Sequence, residues 1–172
     1  MLNVLYSNKD NIIGISRSNY PEFNFCDAKS TIKLIKSFKP DAVINCVAET
    51  SISACEDNRE LADQINTITP ALISEFCYIH NIFFVHISTD HFYSQGGKIA
   101  HKEDDPVQLL NHYAVSKFEA ENRITSLNPN ALVIRTSIIG RTKEGKTFLD
   151  WVIRSIEAKE RLNLFSNAFV SF

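Results

Sequence analysis

The sequence predicts an α/β fold built on a doubly wound parallel sheet. Short apolar runs of strand length recur along the chain, and segments of helical period separate them. Most of the runs are apolar on both faces, as strands covered by helices on both sides are. With 172 residues, 44% of them hydrophobic, the chain has material for one core of ordinary size.

The elements follow in order. Residues 11–16 (NIIGIS) and 23–26 read as the first two strands. Residues 28–39 carry Ile32, Leu34, Ile35 and Phe38 at near-helical spacing and stop before Pro40, which disfavours helix in the residue ahead of it. Residues 42–47 (AVINCV) are the next strand. The helical stretch 59–80 contains Pro70, whose missing donor predicts a kink or a division there. Residues 82–88 (IFFVHIS) and 131–136 (ALVIRT) are further strands, flanking a helix over 111–126 that Asn111 is placed to cap. A last helix spans 147–159. Residues 2–7 are an alternative opening strand, but the short link 8–11 suits an antiparallel hairpin and cannot make a parallel crossover. The stretch 89–110, with Gly96-Gly97 and Pro106, has no clear period and exceeds what a connection needs, so it reads as a functional loop.

Eighteen Lys+Arg against twenty Asp+Glu give a net charge of −2 with no basic stripe, which argues against a nucleic-acid partner. No apolar stretch is long enough to span a bilayer and the first residues lack the pattern of a signal peptide, so the expectation is a cytoplasmic protein without membrane contact. Cys26, Cys46, Cys55 and Cys77 form no C-x-x-C pair, and the five histidines lack ligand spacing; neither a disulfide framework nor a metal site is expected. Glu103-Asp104-Asp105 reads as a solvated loop.

The strongest local signal is Tyr113-Ala114-Val115-Ser116-Lys117, which sets a phenol and an ammonium one helical turn apart on the same face. A nearby cation favours phenolate, and a tyrosine tuned in this way serves as general acid to a carbonyl being reduced. Alone the pair is a weak signal. Upstream, residues 82–88 run into Ser88-Thr89-Asp90, placing hydroxyls at the carboxyl end of a parallel strand, where open α/β sheets bind ligands. Residues 42–47 run likewise into Ala48-Glu49-Thr50, small enough at the start to let a flat ligand approach the backbone.

Taken in order, residues 40–48 (PDAVINCVA), Asn66, residues 87–90 (ISTD), residues 111–117 (NHYAVSK) with Glu121, and residues 134–137 (IRTS) resemble the extended short-chain dehydrogenase/reductases. Among these the chain is most similar to the sugar-nucleotide reductases of the dTDP-4-dehydrorhamnose reductase group. The resemblance implies a Rossmann-like fold and a nicotinamide-dependent reduction of the 4-keto group of a nucleotide-linked deoxysugar. It implies that Tyr113 protonates the oxyanion, that Lys117 lowers the tyrosine pKa and holds the nicotinamide ribose, and that Thr89 orients the keto oxygen. Thr89, Asp90 and Ile138 fall at substrate-contacting positions. Ala48, Glu49 and Thr50 match the strip that lines the cofactor, and Asp27 with Ala28 match the segment near the adenine. Ser16-Arg17-Ser18 stands where an acidic residue would bind the ribose of NAD; arginine there accommodates a 2′-phosphate, so NADPH is the expected cofactor and NADH the alternative. The expected partners are a nucleotide sugar and a second copy in a homodimer.

The chain departs from this pattern at both ends. It has no Gly-rich turn to hold a pyrophosphate, and the family's first strand has no counterpart. Residues 1–146 are therefore expected to form a partial NAD(P)-binding domain and 147–172 the start of a substrate-binding region, in which Phe148, Leu149 and Trp151 pack onto a lid. The leading expectation is an NADPH-dependent 4-keto reductase, of which this chain holds Thr89, Tyr113 and Lys117 but not the phosphate loop, so that its activity alone is in question. The alternative is a non-catalytic regulatory or sugar-nucleotide-binding subunit of the same fold.

Overall fold

The structure is a computed structural model and describes residues 11–16, 18–21, 23–93, 101–137 and 148–160. Helix α1 (Ala28–Phe38) leads into strand β1 (Ala42–Asn45), followed by the short helices α2 (Ile52–Asp57) and α3 (Arg59–Asp63). A π-helical turn (Gln64–Ile68) joins α3 to α4 (Thr69–Ile79), which leads to β2 (Phe83–Ile87); then come α5 (His112–Leu127), β3 (Leu132–Ile134) and α6 (Phe148–Glu157). The three strands pair in sequence order, β1-β2-β3, and both pairings are parallel, with Asn45 opposite His86 and Ile87 opposite Ile134. This is the sheet of crossover-connected parallel strands that the alternation of apolar runs predicts.

Local chemistry sets the element ends. Asp27 accepts hydrogen bonds from the backbone of Lys29 and Ser30 and caps α1, which ends at Lys39 in the left-handed region at φ 48°. Asn111 caps α5 by accepting from Ala114 at 2.9 Å, as its placement in the sequence predicts. Pro70 does not divide the long helical stretch at its own position. The break comes just before it, where Thr69 N–H donates to Gln64 O in the wide i to i−5 pattern, and Pro70 falls in the first turn of α4, where a missing donor is harmless.

Two expected strands are corrected. Residues 11–16 join no ladder among the described residues: Asn19 folds back to donate to Gly14 O at 2.6 Å and to accept from Ser16 N at 2.8 Å, turning the chain away. Residues 23–26 form a turn, because Asn24 Oδ1 accepts from Cys26 N and Asn24 O from Asp27 N, which delivers Asp27 to the cap of α1. Residues 2–7 lie outside the described residues.

The core sits on one face of the sheet. Ile35 of α1, Ile73, Phe76 and Cys77 of α4, and Ala120 and Ile124 of α5 pack with Phe84 of β2, and Val43 and Val133 complete the sheet side. Asn128 ties α5 to α4 by donating from its buried amide to Ser74 O at 3.1 Å. The opposite face carries Ile44, Phe83, Leu132 and Ile134, all exposed. The strands are thus apolar on both faces as their sequences suggest, but the described helices cover only one.

Phe84 is 1% exposed and Ile44 62% exposed, although the two residues occupy adjacent strands. Phe84→Ala is expected to lower unfolding stability by about 3–5 kcal/mol. Ile44→Ala should change it by about 0.5 kcal/mol or less, both read from urea midpoints at unchanged slope.

Candidate active site

The carboxyl ends of β1 and β2 and the first two turns of α5 meet at one place. β2 runs out into Ser88 and Thr89, both buried, and Ser88 N donates to Ile134 O at 2.7 Å, which keeps the two strands in register to that point. Ser88 Oγ is buried and has no hydrogen-bond partner, a hydroxyl held ready at the end of the strand. Thr89 Oγ1 accepts from His91 N at 3.2 Å.

Helix α5 delivers Tyr113 and Lys117. Its start is fixed from outside by α2 and α3: Glu56 accepts from His112 N at 2.7 Å, and Asp63 Oδ1 lies 2.9 Å from His112 Nε2. Ser116, between the two site residues, is held by the π-helical turn, with Asn66 Nδ2 donating to Ser116 Oγ at 3.0 Å and Thr67 Oγ1 to Ser116 O at 2.7 Å. The same Asn66 amide accepts from Glu49 N at 2.8 Å and donates to Glu49 O at 3.1 Å, so one buried side chain fixes the strip after β1 against the helix that carries the tyrosine.

Lys117 is 1% exposed. Its Nζ donates to Ile87 O at 2.8 Å and lies 3.0 Å from His86 Nε2. Burial lowers its pKa to about 8, against the pull of Glu121 and Cys46 toward the charged form. Burial also pushes the Tyr113 phenol up, and the Thr89 hydroxyl beside it pulls the other way. The expectation that the lysine sets the tyrosine toward phenolate is thus not what dominates here: Lys117 directs its hydrogen bonds at β2, and Tyr113 keeps its proton. A half-buried phenol that holds its proton beside a threonine hydroxyl is suited to giving that proton to a carbonyl oxygen.

The structure brings together Thr89, Tyr113, Lys117 and the half-buried Asp90, with Ala48, Glu49 and Thr50 on the neighbouring strand end. Asp27 caps α1 and Ala28 starts it, and Gln64 Nε2 donates to Cys26 O at 3.1 Å, tying this start to the π-helical turn; the Asp27 carboxylate is engaged in the cap. Ser16 is exposed and bonded within its own turn to Asn19 and Ser18. Arg17 and Ile138 lie outside the described residues.

Two features have no role in the sequence reading. His86 is fully buried between Asn45 and Lys117, with its pKa driven down to about 3 by burial and then by the lysine charge. Its signal is a histidine at an inward position of an apolar strand, which spacing alone does not separate from a packed core ring. Arg135, one residue beyond β3, grips Glu121 through three N–H···O contacts of 2.7–3.1 Å. It also donates to the Tyr93 hydroxyl and, at 2.9 Å, to Glu103 O, and its guanidinium stands 5.1 Å from the Phe92 ring centre. The segments on either side of residues 94–100 are thereby fastened to α5. The sequence signal is Glu121 one turn beyond Lys117 with an arginine ending the next strand.

A parallel sheet with a hydroxyl, a tyrosine and a lysine converging at its strand ends defines an α/β protein of the Rossmann-like class. The family described as RmlD substrate binding domain matches residues 2–170, and the chain belongs to that family. A probable low-salt glycan biosynthesis reductase of Haloferax volcanii is 28% identical over 167 residues, covering 91% of this chain and 56% of that protein. The crystal structure of a dTDP-4-dehydrorhamnose reductase from Clostridium acetobutylicum is 29% identical, with a TM-score of 0.70 over 80% of this chain and 49% of that one. A dTDP-4-dehydrorhamnose reductase from Bacillus anthracis, in complex with NADP, shares the fold at 22% identity, with a TM-score of 0.78 over 90% of this chain and 54% of its own. The chain spans about half the length of the curated relatives it matches.

Glu121 is 8% exposed at its side chain and Arg135 18%. Arg135→Ala leaves a buried carboxylate unpaired and is expected to cost about 3–5 kcal/mol. It should also speed amide exchange in residues 101–110, and mass-resolved hydrogen exchange checks both the loss and its location.

Proposed function

We propose that this chain carries the catalytic residues of an NADPH-dependent reductase acting on the 4-keto group of a nucleotide-linked deoxysugar, with NADH as the alternative cofactor. The observation that carries the reading is the meeting of Thr89, Tyr113 and Lys117 at the end of β2, with Lys117 anchored on Ile87 O two residues before Thr89. Family membership supports it, as do the reductase names of the relatives and the NADP held by the Bacillus anthracis protein.

The residues present fit a nicotinamide nucleotide in one testable respect: the unpartnered buried hydroxyl of Ser88 awaits a polar group at the strand end, beside the strip of Ala48, Glu49 and Thr50. When bound, the nicotinamide supplies a hydride to the keto carbon. Thr89 orients the keto oxygen by donating to it, with Asp90 and Ile138 as further substrate contacts. Tyr113 gives its proton to that oxygen as the alcohol forms, and the Lys117 ammonium stabilises the phenolate left behind and holds the ribose. Asp27 and Ala28 would lie toward the adenine, and Ser16 and Arg17 toward the 2′-phosphate. We take residues 1–146 as the nucleotide-binding part and 147–172, with α6, as the start of the sugar-binding region. The four cysteines are free, and no helix among the described residues is long and apolar enough to cross a membrane, which supports a cytoplasmic setting.

In the complete protein, Tyr113→Phe should lower turnover of a 4-keto sugar nucleotide by about 10²–10⁴-fold at little cost in stability. NADPH consumption is the readout, and retained turnover sinks the assignment. The lysine must be charged to stabilise the phenolate and loses its proton as pH rises through about 8. Turnover should therefore fall above that value, as a pH–rate profile will show.

A further inference from the structure

A buried hydrogen-bonded chain crosses the sheet from Asn45 to His86 to Lys117, and its donors and acceptors fit together in one way. Asn45 Oδ1 accepts from Val47 N–H at 3.1 Å, which turns the amide nitrogen toward His86, 3.1 Å from Nδ1. An amide NH₂ only donates, so Nδ1 is an acceptor and carries no proton. With Nδ1 bare and the ring fully buried, the imidazole is neutral. A neutral imidazole with a bare Nδ1 has its proton on Nε2. That N–H points at Lys117 Nζ, 3.0 Å away. An ammonium has no lone pair with which to receive it; an amine has one, and still has hydrogens to donate to Ile87 O at 2.8 Å.

From this arrangement we propose that His86, held as the Nε2–H tautomer by Asn45, is a positioning residue that favours the uncharged amine of Lys117 and so eases loss of the lysine proton. The inference rests on the reading of Lys117 as a working residue of the site. Charging the lysine then requires the His86 contact to break or the Asn45 amide to turn over. The site can therefore switch the lysine's charge with a small rearrangement of two side chains.

The groups facing Lys117 from each packed element are few. From α5 comes Glu121, and from the end of β1 comes the Cys46 thiol. Glu121 and Cys46 favour the ammonium. Glu121, however, is already bonded to Arg135 by both carboxylate oxygens, which leaves less of its charge for the lysine. Burial and the His86 N–H work in the opposite direction.

The test is side-chain NMR of the chain labelled with ¹⁵N-histidine and ¹³Cε-lysine, with Lys117 identified by the signal missing in Lys117→Met. The expected result is a His86 ring protonated at Nε2 and bare at Nδ1, and a Lys117 carbon that titrates near about 8. In His86→Gln the side-chain oxygen can turn to the lysine and accept from an ammonium, so the Lys117 midpoint should rise by about one unit or more. Asn45→Ala frees the tautomer and should move the midpoint in the same direction. A ring protonated at Nδ1 in the unaltered chain overturns the proposal without any variant having to fold, and a Lys117 midpoint at the ordinary lysine value overturns it as well. In the complete protein, His86→Gln should carry the alkaline limb of the pH–rate profile upward by the same amount. Expected NMR behaviour in a protein that reduces no sugar nucleotide would leave the His86 inference standing and remove the reductase reading.

Discussion

The burial of one amine organises the molecule around the end of β2. Lys117 lies almost entirely out of water, and such a group is costly unless its hydrogen-bonding capacity is met inside. The partner that meets it is the backbone carbonyl of Ile87, the last residue of the strand. For the lysine to reach that carbonyl, the first two turns of α5 must lie across the carboxyl ends of the strands. Every other contact of that region then serves the placement: Glu56 and Asp63 hold His112 at the start of the helix, and Asn66 and Thr67 hold Ser116. Tyr113 arrives beside Thr89 because its own helix has already been fixed at Lys117.

The two basic side chains that reach into the protein solve the same problem in opposite ways. Arg135 keeps its charge, because a bidentate carboxylate and three aromatic rings surround it, and its pKa is held above the ordinary arginine range by Glu121. Lys117 has a carbonyl and an imidazole in place of a carboxylate, and its pKa falls. Guanidinium, which cannot be deprotonated, fastens Tyr93 and Glu103 to α5; the lysine, which can, holds the end of β2. The difference between a fixed fastening and a titratable group is thus made by whether the basic side chain touches a carboxylate.

Much of this was legible in the sequence, and the parts that were not share a cause. The three described strands, the Asn111 cap and the end of α1 before Pro40 follow from local pattern, because strand length, capping chemistry and helical spacing are each written within a few residues; the meeting of Thr89 with Tyr113, on separate elements, does not. The strands expected at 11–16 and 23–26 failed for the same reason that they were expected: an apolar run specifies a strand only where a neighbour pairs with it, and Asn19 and Asn24 instead bend the chain with side-chain hydrogen bonds. His86 was unreadable because its meaning depends on Asn45, a residue on another strand whose amide orientation is decided by the turn that follows it.

The π-helical turn at Gln64–Ile68 has a consequence for phase. A π turn holds one residue more than an α turn, so the helices on either side of it are rotated against each other by about 100° relative to a continuous α-helix. That offset lets α3 aim Asp63 at His112 while α4 aims Ile73 and Phe76 into the core, and it turns Asn66 inward between them. The extra residue works as a spacer, setting the angular timing between a segment that grips α5 and a segment that packs the sheet. Deleting a single residue there would leave the composition and polarity of the stretch almost unchanged while putting those two surfaces out of step.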